Sequence, residues 1–438
     1  MTAKEKYQIL HATLQRCPSG NPPATLGDEG GVVSAEELKC LYGSGPVASR
    51  LPPQKSIYLH VPYCARRRCS FCMYKSSTAF TSEALCEYAS SVHGMIRLFS
   101  PQLTGEITNV YVGGGTPTVY SPDGLASLLR PLADMKYKSK GERTCEMSPT
   151  TATESHVDVL ASLGFNRISI GAQSFDRTVL AQVNRAYAEP EKIALLASRA
   201  RSLNFVDVNV DLMFGLPGTS VASMRTSVAL AIETGALSIS IYNYRRRSAA
   251  ANLDEQARKD MVDQFHAACE VMSSCGWECH AGDESTEYHL FFSPMRTRDT
   301  TRYQTSSNGV ENYSVLGFGA FANGFNPALS YTCISDGKEF SSGKALFRHW
   351  VSSEDRQIRL GVINILYAMG NRIDKSSFRN AYGVEFSDYF QEEISGLVEL
   401  GKAEDGDDIF RLLPVSYADG IILQRFFLPM DMVCRMRG

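Results

Sequence analysis

The chain has 438 residues, with 44 Lys and Arg against 47 Asp and Glu, and is 44% hydrophobic and 21% charged. This is ordinary globular composition, long enough for two or three domains whose cores need no metal or disulfide staples, and the near-balance of charge excludes a protein that lives by nucleic-acid backbone contacts. No apolar run reaches the roughly 18 residues of a membrane span, and MTAKEKYQILHATLQ lacks a signal-peptide core. No membrane partner is therefore expected, and the predicted location is cytoplasmic, where the 12 cysteines stay reduced.

Residues 1–54 open on a short helical pattern and loosen into Pro, Gly and Ser clusters, which predicts an N-terminal arm and linker. From there to residue 283, short apolar runs alternate with helical stretches. SIYLHVP is a first strand, and 82–99 a helix with Leu85, Tyr88, Ala89, Val92, Ile96 and Phe99 on one face. ITNVYVGGG follows as a second strand, then a helix near 121–134, then the strands RTCEM, NRISIG, FVDVNVDLMFG and LSISIYNY with helical segments between them. Six strand-then-helix units predict a parallel sheet or barrel, because parallel neighbours need crossover helices, with the chemistry at the carboxyl ends of the strands. After a helix around 254–275, WECHAGDE reads as one more strand and 284–350 as an irregular accessory segment completing the site. Residues 351–438 read as a C-terminal helical, winged-helix-like module, whose acidic EDGDD wing favours packing or a substrate lid over nucleic acid.

The first strand runs into YCARRRCSFCMY, which places Cys64, Cys69 and Cys72 on one short loop. Clustered thiolates suit a soft metal. A structural zinc takes four protein ligands, whereas a [4Fe–4S] cluster held by three leaves one iron open to a small molecule. The competing readings are small core residues or a zinc knuckle completed by a distant Cys or His. At the end of the second strand, VGGGTPT (Gly113 to Thr118) lets the backbone approach a ligand closely. Beside a three-cysteine loop it points to an amino acid-like ligand on the open iron.

Taken in order, SIYLHVPYCARRRCSFC, VYVGGGTPT, CEMSPTT, LGFNRISIGAQSFD, VNRAY, VNVDLMFGLPG, SIYNY and LGFGAFANG resemble the radical S-adenosylmethionine (SAM) enzymes typified by oxygen-independent coproporphyrinogen III oxidase. The likeness runs over about 55–325. It implies an α/β fold, a partial (β/α)6 barrel like a truncated TIM barrel, in agreement with the strand count. It also implies a [4Fe–4S] cluster on Cys64, Cys69 and Cys72, SAM on the fourth iron, a small-molecule substrate, and an electron donor such as flavodoxin or ferredoxin. Tyr58 and Phe71 would flank cluster and adenine. Gly114, Gly115 and Thr116 would hold the methionyl amino group, and Glu146 would stand near the sulfonium; Glu146 and Tyr58 are the catalytic candidates. Gln173 and Asp211 would take the ribose hydroxyls and Arg185 the methionyl carboxylate. Gly319 and Ala320, in LGFGA, would approach a second SAM.

Three departures shape the functional expectation. Four residues, Ala65 to Arg68, separate the first cysteine pair where the family has three; Tyr74 stands where the oxidases carry a fourth cysteine; and their tyrosine-rich N-terminal arm is not found in 1–54. These favour the relatives that use two SAM molecules to methylate or cyclopropanate sp2 carbons, with coproporphyrinogen or heme chemistry as the alternative and a non-catalytic heme carrier as a third. Tyr242, Tyr244 and Arg245 are expected to face the substrate. Arg66 to Arg68 are read as solvated charge, His60 as a hydrogen-bonded barrel residue, and Cys269, Cys275, Cys279 and His280 as ordinary thiols and a strand residue.

Overall fold

A computed structural model describes residues 2–14, 29–44, 54–65, 68–187, 189–244, 255–281, 288–296, 313–326, 328–368, 371–415 and 417–429. Arg66, Arg67 and Arg245 lie outside the described residues, as do 284–287 and 297–312 of the accessory segment.

The six strands expected from the sequence are all present and all parallel: β2 (Gln54–Val61), β3 (Ile107–Gly114), β4 (Arg143–Met147), β5 (Arg167–Gln173), β6 (Asp207–Phe214) and β7 (Ser238–Asn243), neighbours in that order. Each alternates with a purpose. Ile57, Leu59, Val61, Val110, Val112, Ile168, Ile170, Val208, Val210, Ile239 and Ile241 are buried and belong to the core. The opposite face carries Tyr58, His60, Asn109, Tyr111, Glu146, Ser169, Asp207, Asn209, Asp211, Ser238 and Ser240. Since successive side chains leave a strand on opposite sides, a sheet with an apolar helix-covered face and a polar face curls into a barrel with a polar lumen.

The crossover helices bury their expected stripes. Helix α3 (Ser82–Leu98) buries Leu85, Tyr88, Ala89, Val92 and Ile96, and Thr81 caps it by accepting from the Ala84 amide. Helix α4 (Pro122–Ala133) is capped likewise by Ser121 and has Pro122 in its first turn, where a missing N–H costs nothing.

Two segments differ from the expectation. The accessory stretch is not irregular: it extends the sheet past both ends of the parallel set. Beside the strand expected in WECHAGDE, β8 (Glu278–Ala281), the stretch supplies β9 (Tyr288–Phe292), which pairs antiparallel with both β7 and β8, while β10 (Tyr313–Phe318) pairs in parallel with β2 and leads to antiparallel β11 (Asn323–Phe325), β12 (Leu329–Cys333) and β13 (Leu346–Val351). Strands of three to six residues leave too short a period to read. Residues 1–54 are likewise more than an arm and linker. β1 (Glu29–Ser34) pairs with β13, the helix Ala35–Ser44 places Leu38 and Tyr42 in the main core, and the helix Ala3–Leu14 buries Leu10 in the C-terminal core, with Tyr7 donating to Asp419 at 2.5 Å. These partners are hundreds of residues distant, so no local pattern reveals them.

The C-terminal module has its own core, built around Phe378, Phe386, Phe390, Phe410 and Phe427. Its helices surround a three-stranded sheet in the order Arg372–Asp374, Ile409–Leu412, Ala403–Asp405. Among the described residues no helix is long and apolar enough to cross a membrane.

Candidate active site

The lower barrel lumen is closed by a charged knot. Arg167 Nε lies 2.8 Å from Asp207 Oδ2, and Arg296 bridges Glu142 at 3.1 Å and Asp207 Oδ1 at 3.2 Å, with every side chain at most 3% exposed. Above it Ser238 donates to Asp207 and to Asn209, Ser240 donates to Asn209, and Asn209 donates onward to Ser169 and to Asp211 Oδ1 at 2.7 Å. Ser169 completes the column by donating to Asp211 Oδ2 at 3.1 Å. Asp211, the strand residue proposed for the ribose, is thus gripped on both oxygens from below, and burial raises its carboxyl above the usual range.

Glu146 stands in the same lumen. It accepts from the Tyr111 hydroxyl at 2.7 Å and from the Gly114 amide at 3.2 Å, while burial pushes its carboxyl up to about 7. Gly113 has no side chain because one would sit 2.7 Å from Glu146 Oε2. Tyr58 Oη and His60 Nδ1 are hydrogen-bonded at 2.8 Å, and burial holds the His60 imidazole down at about 4, neutral, as expected of a hydrogen-bonded barrel residue. Tyr111 was not singled out from the sequence; it alternates with Asn109 and Gly113 on the lumen side of β3, and that alternation was the available signal.

The glycine turn has a structural task. Gly115 N donates to Val61 O and Thr116 N to Tyr63 O, both at 2.7 Å, which straps the turn to the start of the cysteine loop. With those amides engaged, an incoming amino group, itself a donor, would meet carbonyl oxygens of the turn. Gly114 has φ +102°, and a β-carbon there would fall 2.6 Å from the His60 ring. Gly114→Ala is therefore expected to destabilise the fold by at least ~1–3 kcal/mol and to displace the Tyr58–His60 pair. Thermal unfolding of the two proteins measures it, and an unchanged melting temperature would contradict the packing described.

Cys64, Cys69 and Cys72 are half-buried on one loop at the carboxyl end of β2. Burial raises the Cys72 thiol, and the neighbouring Cys64 and Cys69 raise it further. The Thr116 hydroxyl donates to Cys64 Sγ at 3.6 Å, and Arg185 Nη1 to Cys69 Sγ at 3.9 Å. Three thiols on one loop at the barrel mouth, with a hydroxyl and a guanidinium beside two of them, fit an iron–sulfur cluster. Among the described residues no group of three His, Cys, Asp or Glu is arranged around a single metal ion. Of the other thiols, Cys269 packs against the main core, while Cys275 and Cys279 are exposed.

The other expected residues converge unevenly. Arg185 reaches from the Gly171 carbonyl to the cysteine loop, and Gln173 sits at a bulge in β5 with φ +73°. Phe71 packs with Val179, Val183, Met213 and Leu216, a wall that also takes Tyr242 and Tyr244. Gly319 and Ala320 lie deeper: a β-carbon on Gly319 would fall 2.3 Å from the Tyr88 hydroxyl, and that hydroxyl accepts from Ala320 N and donates to His60 O. Ala320 is fully buried. Arg68 donates to the Cys72 carbonyl, so this part of the triple arginine braces the loop rather than facing solvent alone.

A model of the radical SAM superfamily matches residues 58–231. Oxygen-independent coproporphyrinogen III oxidase of Salmonella typhimurium is 25% identical over 371 residues, 79% of each chain. A heme chaperone of Bacillus subtilis is 24% identical over 378 residues, covering 79% of this chain and 92% of its own. Coproporphyrinogen III oxidase of Escherichia coli has a similar fold, with a TM-score of 0.66 and 22% identity over 85% of this chain and 89% of that one. These relatives overturn the expected methyltransferase or cyclopropanase function: the names carried along most of the chain are those of an oxidase and a heme chaperone.

Proposed function

We propose, from the premise that residues 58–231 form a radical SAM domain, that this chain is a radical SAM enzyme acting on a tetrapyrrole, in the manner of a coproporphyrinogen III oxidase. The observation that supports it is the join between site and likeness: a mouth built from three cysteines, a glycine turn and two lumen carboxylates, within a chain matched over 79% of an oxidase's length. When bound, the [4Fe–4S] cluster and SAM would supply one-electron chemistry able to remove a hydrogen atom from substrate.

The chain's own residues bind, orient and shield. Cys64, Cys69 and Cys72 would hold the cluster. Glu146 would offer its carboxylate to the sulfonium, worth more in a lumen with little water than at a surface. Asp211, already oriented by Asn209 and Ser169, would accept the ribose diol together with Gln173. Arg185 would meet the methionyl carboxylate. The apolar wall of Phe71, Val183 and Met213 beside Tyr242 and Tyr244 would exclude water and present a flat surface to a macrocycle. A low-potential one-electron donor of the flavodoxin or ferredoxin kind would serve the cluster.

Two observations favour heme handling as a second reading: the heme chaperone is covered over 92% of its length, and Tyr74 occupies the place of the oxidases' fourth cysteine. One experiment separates them. Reduced, cluster-loaded protein is incubated anaerobically with SAM, coproporphyrinogen III and an electron acceptor. The oxidase reading expects CO2 released in proportion to 5′-deoxyadenosine, with propionate converted to vinyl. Intact porphyrinogen with no 5′-deoxyadenosine, and heme retained by the protein when heme is supplied in a parallel incubation, would favour the chaperone.

A further inference from the structure

We propose that Tyr111 is a positioning residue for SAM, its phenol holding the Glu146 carboxylate in the orientation that meets the sulfonium and coupling SAM binding to the release of a proton. The inference rests on the reading that Glu146 faces the sulfonium.

The geometry is specific. Tyr111 is level with Tyr58 across the β2–β3 register, their ring centroids 6.4 Å apart, so its ring is fixed by its neighbour and its hydroxyl aims across the lumen. Glu146 leans over Gly113 toward β3. There one oxygen accepts from Tyr111 and the other from the Gly114 amide. Two donors on two oxygens from one strand fix the plane of the carboxylate, and its remaining lone pairs are left for a ligand.

The charged and titratable groups around it set the sign. Asp211 on β6 opposes ionisation of Glu146, Arg167 on β5 favours it, and Tyr111 favours it by donating to the charged form. Tyr74, from the cysteine loop, also feels Glu146, and His60, across Gly114, is neutral. Burial is the largest influence and keeps the carboxyl protonated below about pH 7. A permanent sulfonium cation favours the carboxylate, so SAM must displace that proton below pH 7 and need not above it. Affinity then rises with pH up to about 7 and levels off. Without the phenol the carboxyl loses a donor to its charged form, so levelling moves to higher pH.

The test measures SAM dissociation constants by anaerobic equilibrium dialysis on oxidised, cluster-loaded protein across the range from acid to alkaline, for wild type, Tyr111→Phe, Glu146→Gln and the double variant. Tyr111→Phe is expected to weaken SAM modestly at alkaline pH, through the lost orientation, and about tenfold further on the acid side, the scale of one hydrogen bond to a charged group, where the proton must also be displaced. S-adenosylhomocysteine has the same amino acid and nucleoside but no sulfonium, and its affinity is expected to ignore Tyr111→Phe at every pH. In the Glu146→Gln background, Tyr111→Phe is expected to add nothing.

A loss uniform across pH, a loss shared by S-adenosylhomocysteine, or identical profiles for wild type and Tyr111→Phe would overturn the assignment. Wild-type protein that binds no SAM at any pH would instead overturn the underlying reading of the site. Tyr111→Phe keeps the ring, and a matching thermal unfolding curve separates a binding effect from misfolding.

Discussion

Replacing Cys64, Cys69 and Cys72 together by alanine is expected to remove the cluster: anaerobic reconstitution should yield about four irons per wild-type chain and close to none in the variant. Reductive release of 5′-deoxyadenosine disappears with it. The expectation follows from the loop's geometry, since the three half-buried thiols share one loop, Cys72 feels both of the others, and Cys69 lies next to the Arg185 guanidinium. The fold itself should survive, because the loop is strapped by backbone bonds from Gly115, Thr116 and Ser77 rather than by its sulfurs. Iron analysis and low-temperature electron paramagnetic resonance check the first point, and circular dichroism the second. A variant that kept wild-type iron and spectrum would place the cluster elsewhere.

Asp207→Ala has the largest expected effect on stability. Its carboxylate is fully buried and meets Arg167 Nε at 2.8 Å, Arg296 Nε at 3.2 Å and the Ser238 hydroxyl. Removing it takes a counterion from two buried guanidiniums that Glu142 also approaches. Breaking a buried charge network by deleting one partner costs about 3–5 kcal/mol, because the remaining charge stays out of water without its counterpart. Asp158→Ala breaks the ion pair with Arg199 at 2.6 Å, yet those side chains are 43% and 39% exposed, and its loss should cost no more than ~1 kcal/mol. Denaturant titrations of the two variants test the contrast. Equal shifts in midpoint at constant slope would show that the knot is no more than an ordinary surface network.

The same knot explains why the lumen is polar. A barrel interior is usually filled by branched apolar side chains. Here Asp207, Asn209 and Asp211 on β6, with Ser169, Ser238 and Ser240 beside them, satisfy one another from base to mouth. Buried polar groups are tolerable when each has a partner, and a chain of them fixes its upper end. The carboxylate of Asp211, proposed above for the ribose, is that upper end.

The local signals in the sequence determined much of the scaffold. Alternation of Val208, Val210 and Leu212 with Asp207, Asn209 and Asp211 marks β6 as a strand with two unlike faces. Leu85, Tyr88, Ala89, Val92 and Ile96 mark the buried stripe of α3, and Cys64, Cys69 and Cys72 crowd onto one loop whatever the fold. These features have short periods, so neighbours along the chain suffice to define them. The few differences from the family pattern, Tyr74 among them, do not specify the functional branch, because a missing side chain says what is absent without saying what chemistry replaces it.

What only the tertiary structure decided are contacts between residues far apart in the chain. The pairing of β1 with β13, the helix Ala3–Leu14 against Asp419, and the sheet extension through β9 to β13 arise when segments with weak local preference find partners across the molecule. Tyr111 reads locally as one more aromatic in a strand. Its role depends on the β3–β4 register, which brings Glu146 to its hydroxyl, and on Gly113, which leaves room for the carboxylate to lean. Sequence spacing specifies which face a side chain leaves by; the register between strands specifies which side chain it meets.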